Sequence, residues 1–245
     1  MKINVLFSPN NVDELYFSKK TSIVIDVLRA TTVIVTALEK GAREVIPVSS
    51  VDFAMKISGN AFGGQTLLGG ERNTNKIEGF NLGNSPYEYT NEVVAGKSII
   101  LYTTNGSKAI VKAKFSENLF ISSFRNLKAI AAHVAKLKND IEILCAGANG
   151  MFCIEDTVCA GRLINEICAA ADEVELTDAA KASVVLNNSS GDDILEMLKN
   201  AEHGIKLINN GYKEDLKYCA SLSVSDIIPY YNSGVVKIYK EEENL

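Results

Sequence analysis

Short runs of β-branched and apolar residues alternate with stretches of helical period, and this alternation restricts the chain to an α/β fold. The runs are Ile3–Phe7, Ser22–Val27, Glu44–Val48, Thr66–Leu68, Ser98–Thr103, Asn118–Ile121 and Ile141–Cys145. Between them lie Thr31–Lys40, Val51–Ser58, Asn105–Ala113 and Leu127–Lys138, each with apolar residues at helical spacing. Ile23 to Ile25 and Ile99 to Leu101 are continuously apolar, the pattern of strands covered by helices on both faces. After Gly147 the chain turns mostly helical. Glu155–Ala170 sets Ala160, Leu163, Ile164, Ile167 and Cys168 on one face, and Thr177–Asn187, Asp192–Asn200 and Glu202–Asn209 read as three shorter helices. Val235–Tyr239 is expected to return to the sheet or to pair at its edge. No repeat, low-complexity tract or linker interrupts the pattern. The expectation is one domain over residues 1–245: a three-layer α/β/α sandwich, with a largely parallel or mixed sheet and a mostly helical C-terminal third.

Several partner classes are disfavoured. No apolar tract approaches the roughly 20 residues a bilayer-spanning helix needs. The opening MKINVLFSPN reads as a strand and turn, too short for a signal-peptide core, so a cytoplasmic location is expected. The net charge is −5, with no basic stripe and no aromatic platform for bases, which argues against nucleic acid. Five cysteines include no Cys-x-x-Cys pair, and the two histidines lie away from the cluster Cys145, Cys153, Cys159 and Cys168. Reduced thiols are therefore expected rather than zinc or disulfides. His133 and His203 read as surface or satisfied positions. A homo-oligomer is compatible with the sequence, which is silent on the point.

Polar residues gather where four strands end, the place where open α/β sheets bind ligands. In SIVIDVLRATT, Asp26 ends a strand, Arg29 follows, and Thr31 and Thr32 open a helix, whose free amides and hydroxyls suit an anion. The plain alternative is a capped helix and a turn. In LLGGERNTNKIEGFNLGNSP, Gly70 allows close backbone approach and Glu71 stands beside Arg72. Phe80 and Leu82 indicate that the long stretch to Pro86, including Asn84 and Ser85, is packed. In SIILYTTNGSKAI, Thr104, Asn105 and Gly106 join strand to helix; a neutral cap would look the same. In ILCAGANGMFCIEDTVCAGRL, Glu155 and Asp156 begin the long helix, a place the helix dipole favours for acids regardless of function. Together, Asp26, Glu71, Glu155 and Asp156 make a hard-oxygen set suited to Mg²⁺, and Mg²⁺ beside an anion cradle points to phosphate chemistry.

The segments IDVLRATT, LLGGER, IEGFNLGNSP, TTNG and EDTVCAG together resemble the 2-phosphosulfolactate phosphatase family of coenzyme M biosynthesis. The resemblance runs from Asp26 to about Arg162, and more weakly to Pro229. It implies an α/β/α fold and Mg²⁺-dependent hydrolysis of 2-phospho-3-sulfolactate to 3-sulfolactate and phosphate. The residues it carries over are Asp26, Arg29, Glu71, Arg72, Asn84, Ser85, Thr104, Asn105, Glu155 and Asp156. Either a water or Asp26 itself is the nucleophile, and water is preferred because Asp26 is also wanted as a ligand. Cys153 and Cys159 lack the five-residue loop and following arginine of cysteine phosphatases, and read as helix packing. Two other readings remain: a phosphatase for another small phosphorylated acid on this scaffold, and a non-catalytic module that senses a phosphorylated metabolite.

Overall fold

The computed structural model describes residues 1–60 and 65–240. Its first part runs β1 (Lys2–Leu6), β2 (Thr21–Ile25), α1 (Ala30–Glu39), β3 (Glu44–Val48), α2 (Val51–Asn60), β4 (Thr66–Arg72) and β5 (Asn75–Lys76). The middle adds α3 (Asn91–Val94), β6 (Ser98–Tyr102), α4 (Gly106–Lys112), β7 (Asn118–Ser122), α5 (Leu127–Leu137) and β8 (Ile141–Cys145). The remainder is α6 (Ile154–Ala170), β9 (Glu175–Leu176), α7 (Asp178–Ser190), α8 (Ile194–Asn200), α9 (Glu202–Asn209), α10 (Lys213–Cys219), β10 (Pro229–Asn232) and β11 (Val235–Ile238).

Eleven strands form one sheet in the order β5-β4-β6-β3-β11-β10-β7-β2-β8-β1-β9. Two blocks are parallel, β4-β6-β3 and β7-β2-β8-β1-β9. The hairpin β10–β11 joins them, pairing antiparallel with β7 on one side and β3 on the other. Three successive antiparallel pairings reverse the sense, so the two blocks run in opposite directions. The α/β/α class with a mixed sheet therefore holds. The C-terminal strand does return to the sheet, at its centre and with a partner, β10, that the residue pattern does not mark. Ser233 and Gly234 both have positive φ, 51° and 92°, the backbone a two-residue hairpin turn requires.

Every residue of α1 from Ala30 to Leu38 is buried. Its sequence, apolar or hydroxyl-bearing on all sides, suits a helix without a solvent face. The core around it draws Val24, Ile121 and Leu144 from one parallel block and Val45, Ile99 and Leu101 from the other. The sheet thus wraps around α1 and α4. On its outer faces, α5 to α10 cover one block through Ile23, Ile143, Leu163 and Ile167, and α2 covers the other through Ala54, Leu68 and Ile100. That wrapping brings the carboxyl ends of β2, β4, β6 and β8 to one place although the blocks oppose each other.

β4 is longer than its residue pattern predicts, ending at Arg72 rather than Leu68. Gly69 and Gly70 do not break it. Gly70 sits at φ +133°, and a Cβ there would collide with the carbonyl oxygen of Tyr102 on β6, so the glycine marks close backbone approach inside the sheet. Among the described residues, no helix is long and apolar enough to cross a membrane.

Candidate active site

The loop leaving β2 is held from within. Thr31 Oγ1 donates to the Asp26 carbonyl (2.8 Å) and accepts from the Asp26 amide (3.1 Å), while Thr32 Oγ1 donates to the Val27 carbonyl (2.9 Å). Both threonines are fully buried. The hydroxyls are taken up in shaping the loop. The Gly70 amide donates to the carbonyls of Leu82 and Gly83 (3.1 Å each).

What the loop presents is Asp26, 7% exposed. Its Oδ1 accepts from the Ala30 amide (3.3 Å), and its Oδ2 lies where a Cβ on Gly106 would stand. Glu71, at the end of β4, accepts from the Thr104 amide at Oε1 and the Thr74 amide at Oε2, both at 2.7 Å. Asp156, in the first turn of α6, accepts from the Val27 amide at Oδ1 (2.9 Å) and the Gly147 amide at Oδ2 (3.1 Å), stapling the loops after β2 and β8 together. Glu155 beside it is 3% exposed. Burial is the first cause that raises Asp26, to about 7, with the charges of Glu71 and Glu155 adding to it. Burial, then the charges of Asp26 and Glu155, holds Asp156 well above the usual carboxylate range. Burial also raises Glu155.

Two of these carboxylates, Glu71 and Glu155, line a cleft of about 540 Å³ with Thr104 and Asn105 on one wall and His203 and Lys206 of α9 on the other. Asn105 Oδ1 accepts from the Asn149 amide (2.9 Å), which leaves its side-chain NH₂ free to donate. Cys153 also lines the cleft, but burial raises its thiol, which is thereby a poor nucleophile and a poor ligand. Cys159 is fully buried in the core, as expected.

Arg29 reaches this cluster indirectly. It is 2% exposed, with Nη1 donating to Asp215 Oδ2 (2.7 Å), Nη2 to the Thr74 carbonyl (3.0 Å), and its plane 4.2 Å from the ring centre of Tyr212. Asp215 also accepts from Ser85 Oγ (2.8 Å). Thr74 occupies φ +74°, strained for a β-branched residue, and is held there by Arg29, by Glu71 and by Asn210 Nδ2 (2.6 Å to Thr74 Oγ1). Arg29 thus braces the turn that carries Glu71. Arg72, one residue further along the strand, faces the other way, as strand alternation requires; it is exposed and outside the cleft lining. Asn84 is 5% exposed, and its Oδ1 has no hydrogen-bond partner among the described residues.

The donor set suits a hard cation. It consists of carboxylate oxygens, desolvated and repelling one another. Among the described residues no three Asp, Glu, His or Cys side chains close around one point. Mg²⁺ does not demand such a cage, since it is commonly held by one or two carboxylates plus waters and substrate phosphate oxygens.

A family model described as 2-phosphosulpholactate phosphatase matches residues 6–234. The chain belongs to the 2-phosphosulfolactate phosphatase family. Relatives named probable 2-phosphosulfolactate phosphatase include one from Clostridium acetobutylicum, 39% identical over 96% of this chain and all of its own length. Another, from Clostridium novyi, is 43% identical over 95% of this chain and 97% of its own. A third, from Clostridium perfringens strain SM101, is 41% identical over 97% and 96%. In this member of the phosphatase family, Thr74, Lys206 and Asp215 join the site without having been singled out from the sequence, and His203, read there as a surface or satisfied position, lines the cleft. Asp215 carries no local signal; it looks like any acid in the first turn of a short helix, as does Glu214 next to it.

Proposed function

We propose that this protein hydrolyses 2-phospho-3-sulfolactate to 3-sulfolactate and inorganic phosphate with the help of Mg²⁺. The observation that carries the reading is the buried, mutually repelling set Asp26, Glu155 and Asp156, with Glu71, beside an open cleft in a chain of this family. One or two of the carboxylates Asp26, Glu71, Glu155 and Asp156 would hold the ion. When bound, Mg²⁺ supplies positive charge that polarises the phosphoryl oxygens and offsets charge developing in the transition state.

The remaining chemistry belongs to side chains. A carboxylate of this cluster would accept the proton of the attacking water. The water oxygen bonds to phosphorus while the bond to the 2-oxygen of sulfolactate breaks. The side-chain NH₂ of Asn105, whose Oδ1 already accepts from the Asn149 amide, would donate to a phosphoryl oxygen. Arg29, bound to Asp215 and Thr74, acts as a positioning residue for Glu71 rather than gripping the phosphate. The test is phosphate release from synthetic 2-phospho-3-sulfolactate by protein stripped with EDTA and then given Mg²⁺. Turnover that returns only with the metal is expected. Undiminished turnover in the stripped protein, or none with Mg²⁺, overturns the reading.

A further inference from the structure

The proposed substrate carries three anionic groups, whereas the cleft wall formed by the strand ends is acidic. Glu71 and Glu155 line it, and Glu202 joins them from α9. Arg29 is spent on Asp215, and Arg72 lies outside. His203, pushed down to about 4 by burial first and by the charges of Lys206 and Arg29 besides, is neutral near neutral pH and adds no charge. Among the described residues lining the cleft, Lys206 is the one cation. It makes no ion pair or hydrogen bond with any described residue, although Glu202 stands one helical turn before it. The same lining includes Met151 and Phe152, exposed by 69% and 51%. Apolar surface of this kind lowers the local dielectric and strengthens the pull of an ammonium group on an anion.

We infer that Lys206 is a specificity-determining residue that binds the anionic group the reaction leaves untouched, the carboxylate or the sulfonate of the sulfolactate moiety. This rests on the proposed phosphatase reading. An unpaired ammonium facing an acidic wall across a cleft suits an elongated polyanion. The phosphate goes to the metal-binding side and the far anion to α9, and a phosphate ester without a second anion gains nothing from Lys206.

The test compares wild type with Lys206→Met and Lys206→Arg on three substrates with Mg²⁺ present. These are 2-phospho-3-sulfolactate, 2-phospholactate, which keeps only the carboxylate, and glycerol 2-phosphate, which has neither group. A charge-assisted contact at an exposed cleft wall predicts that Lys206→Met raises KM for 2-phospho-3-sulfolactate roughly tenfold, with kcat much less affected. Lys206→Arg should restore most of the loss. Loss on 2-phospho-3-sulfolactate alone assigns the sulfonate, and loss on both acids assigns the carboxylate. Equal loss on all three substrates, or none on any, overturns the inference. If the wild type releases no phosphate from 2-phospho-3-sulfolactate, the functional reading fails and calorimetric titration with 3-sulfolactate decides. Tighter binding to wild type than to Lys206→Met keeps the inference, and equal binding or none overturns it.

Discussion

At the scale of single residues, neighbours in sequence have parted company. Arg29 follows Asp26 by three residues and Arg72 adjoins Glu71, yet one is 2% exposed and clamped between Asp215, Thr74 and Tyr212 while the other faces solvent. Removing one partner of a buried ion pair leaves the other charge desolvated and unbalanced. Asp215→Asn should therefore cost about 3 kcal/mol, a fall in Tm of roughly 6–12 °C for a chain of this size, together with a lower kcat as the turn bearing Glu71 loosens. Calorimetry and steady-state kinetics check it; an unchanged Tm would mean the pair is not desolvated as placed. Arg72→Lys, by contrast, should leave kcat/KM within about twofold, because an exposed change away from such features is typically worth within ±0.5 kcal/mol. A tenfold loss in that variant would show that Arg72 turns into the cleft when substrate binds.

Between elements, the first turn of α4 is pressed against the loop from β2 to α1. A Cβ on Gly106 would meet Asp26 Oδ2 and stand 2.5 Å from the Cβ of Ala30. Ala30 belongs to the buried α1 and has no room to retreat. Gly106→Ala should cost about 1–3 kcal/mol as overpacking and should displace Asp26, so that kcat falls at least tenfold in assays run well below Tm. A variant with wild-type kcat would mean that the carboxylate tolerates the shift and does not take part in the chemistry. The same argument explains why TTNG reads weakly from sequence: its glycine is needed by Asp26, a partner 80 positions earlier in the chain.

For the whole molecule, the carboxylate cluster links stability to pH. In the metal-free protein, Asp26 has a folded value of about 7 against an ordinary value of 3.8. Between these values the folded state binds the proton that the unfolded state has released, so metal-free stability falls as pH rises through this window. Glu155 and Asp156, also raised, act in the same direction. A cation bound by the ionised cluster must displace those protons, so its stabilisation grows with pH. Thermal scans should show metal-free Tm falling between about pH 5 and about pH 8, and Mg²⁺ raising Tm more at the upper end. A Mg²⁺ effect equal at both ends would place the ion away from Asp26, Glu155 and Asp156.

Much of this molecule was legible in its residues, because strands, helices and strand-end loops are written in near neighbours. Glu44–Val48, Ile141–Cys145 and Glu202–Asn209 have the bounds their patterns predict. Asp26, Glu155 and Asp156 lie past the end of a strand or at the start of the helix that follows, and Glu71 lies in the last residues of β4, so the residue pattern marks all four. Tertiary structure alone decided the rest. Thr31 and Thr32 turn their hydroxyls inward because the loop has its own backbone groups to satisfy. Arg29 meets Asp215 across 186 positions, and the central hairpin joins two blocks whose strands all precede it in the chain apart from its own turn. Local propensity acts over a helical turn or a strand pair. Which distant charge is buried against which, and which helix supplies the far wall of a cleft, depends on how the sheet closes around α1, and no window of sequence contains that information.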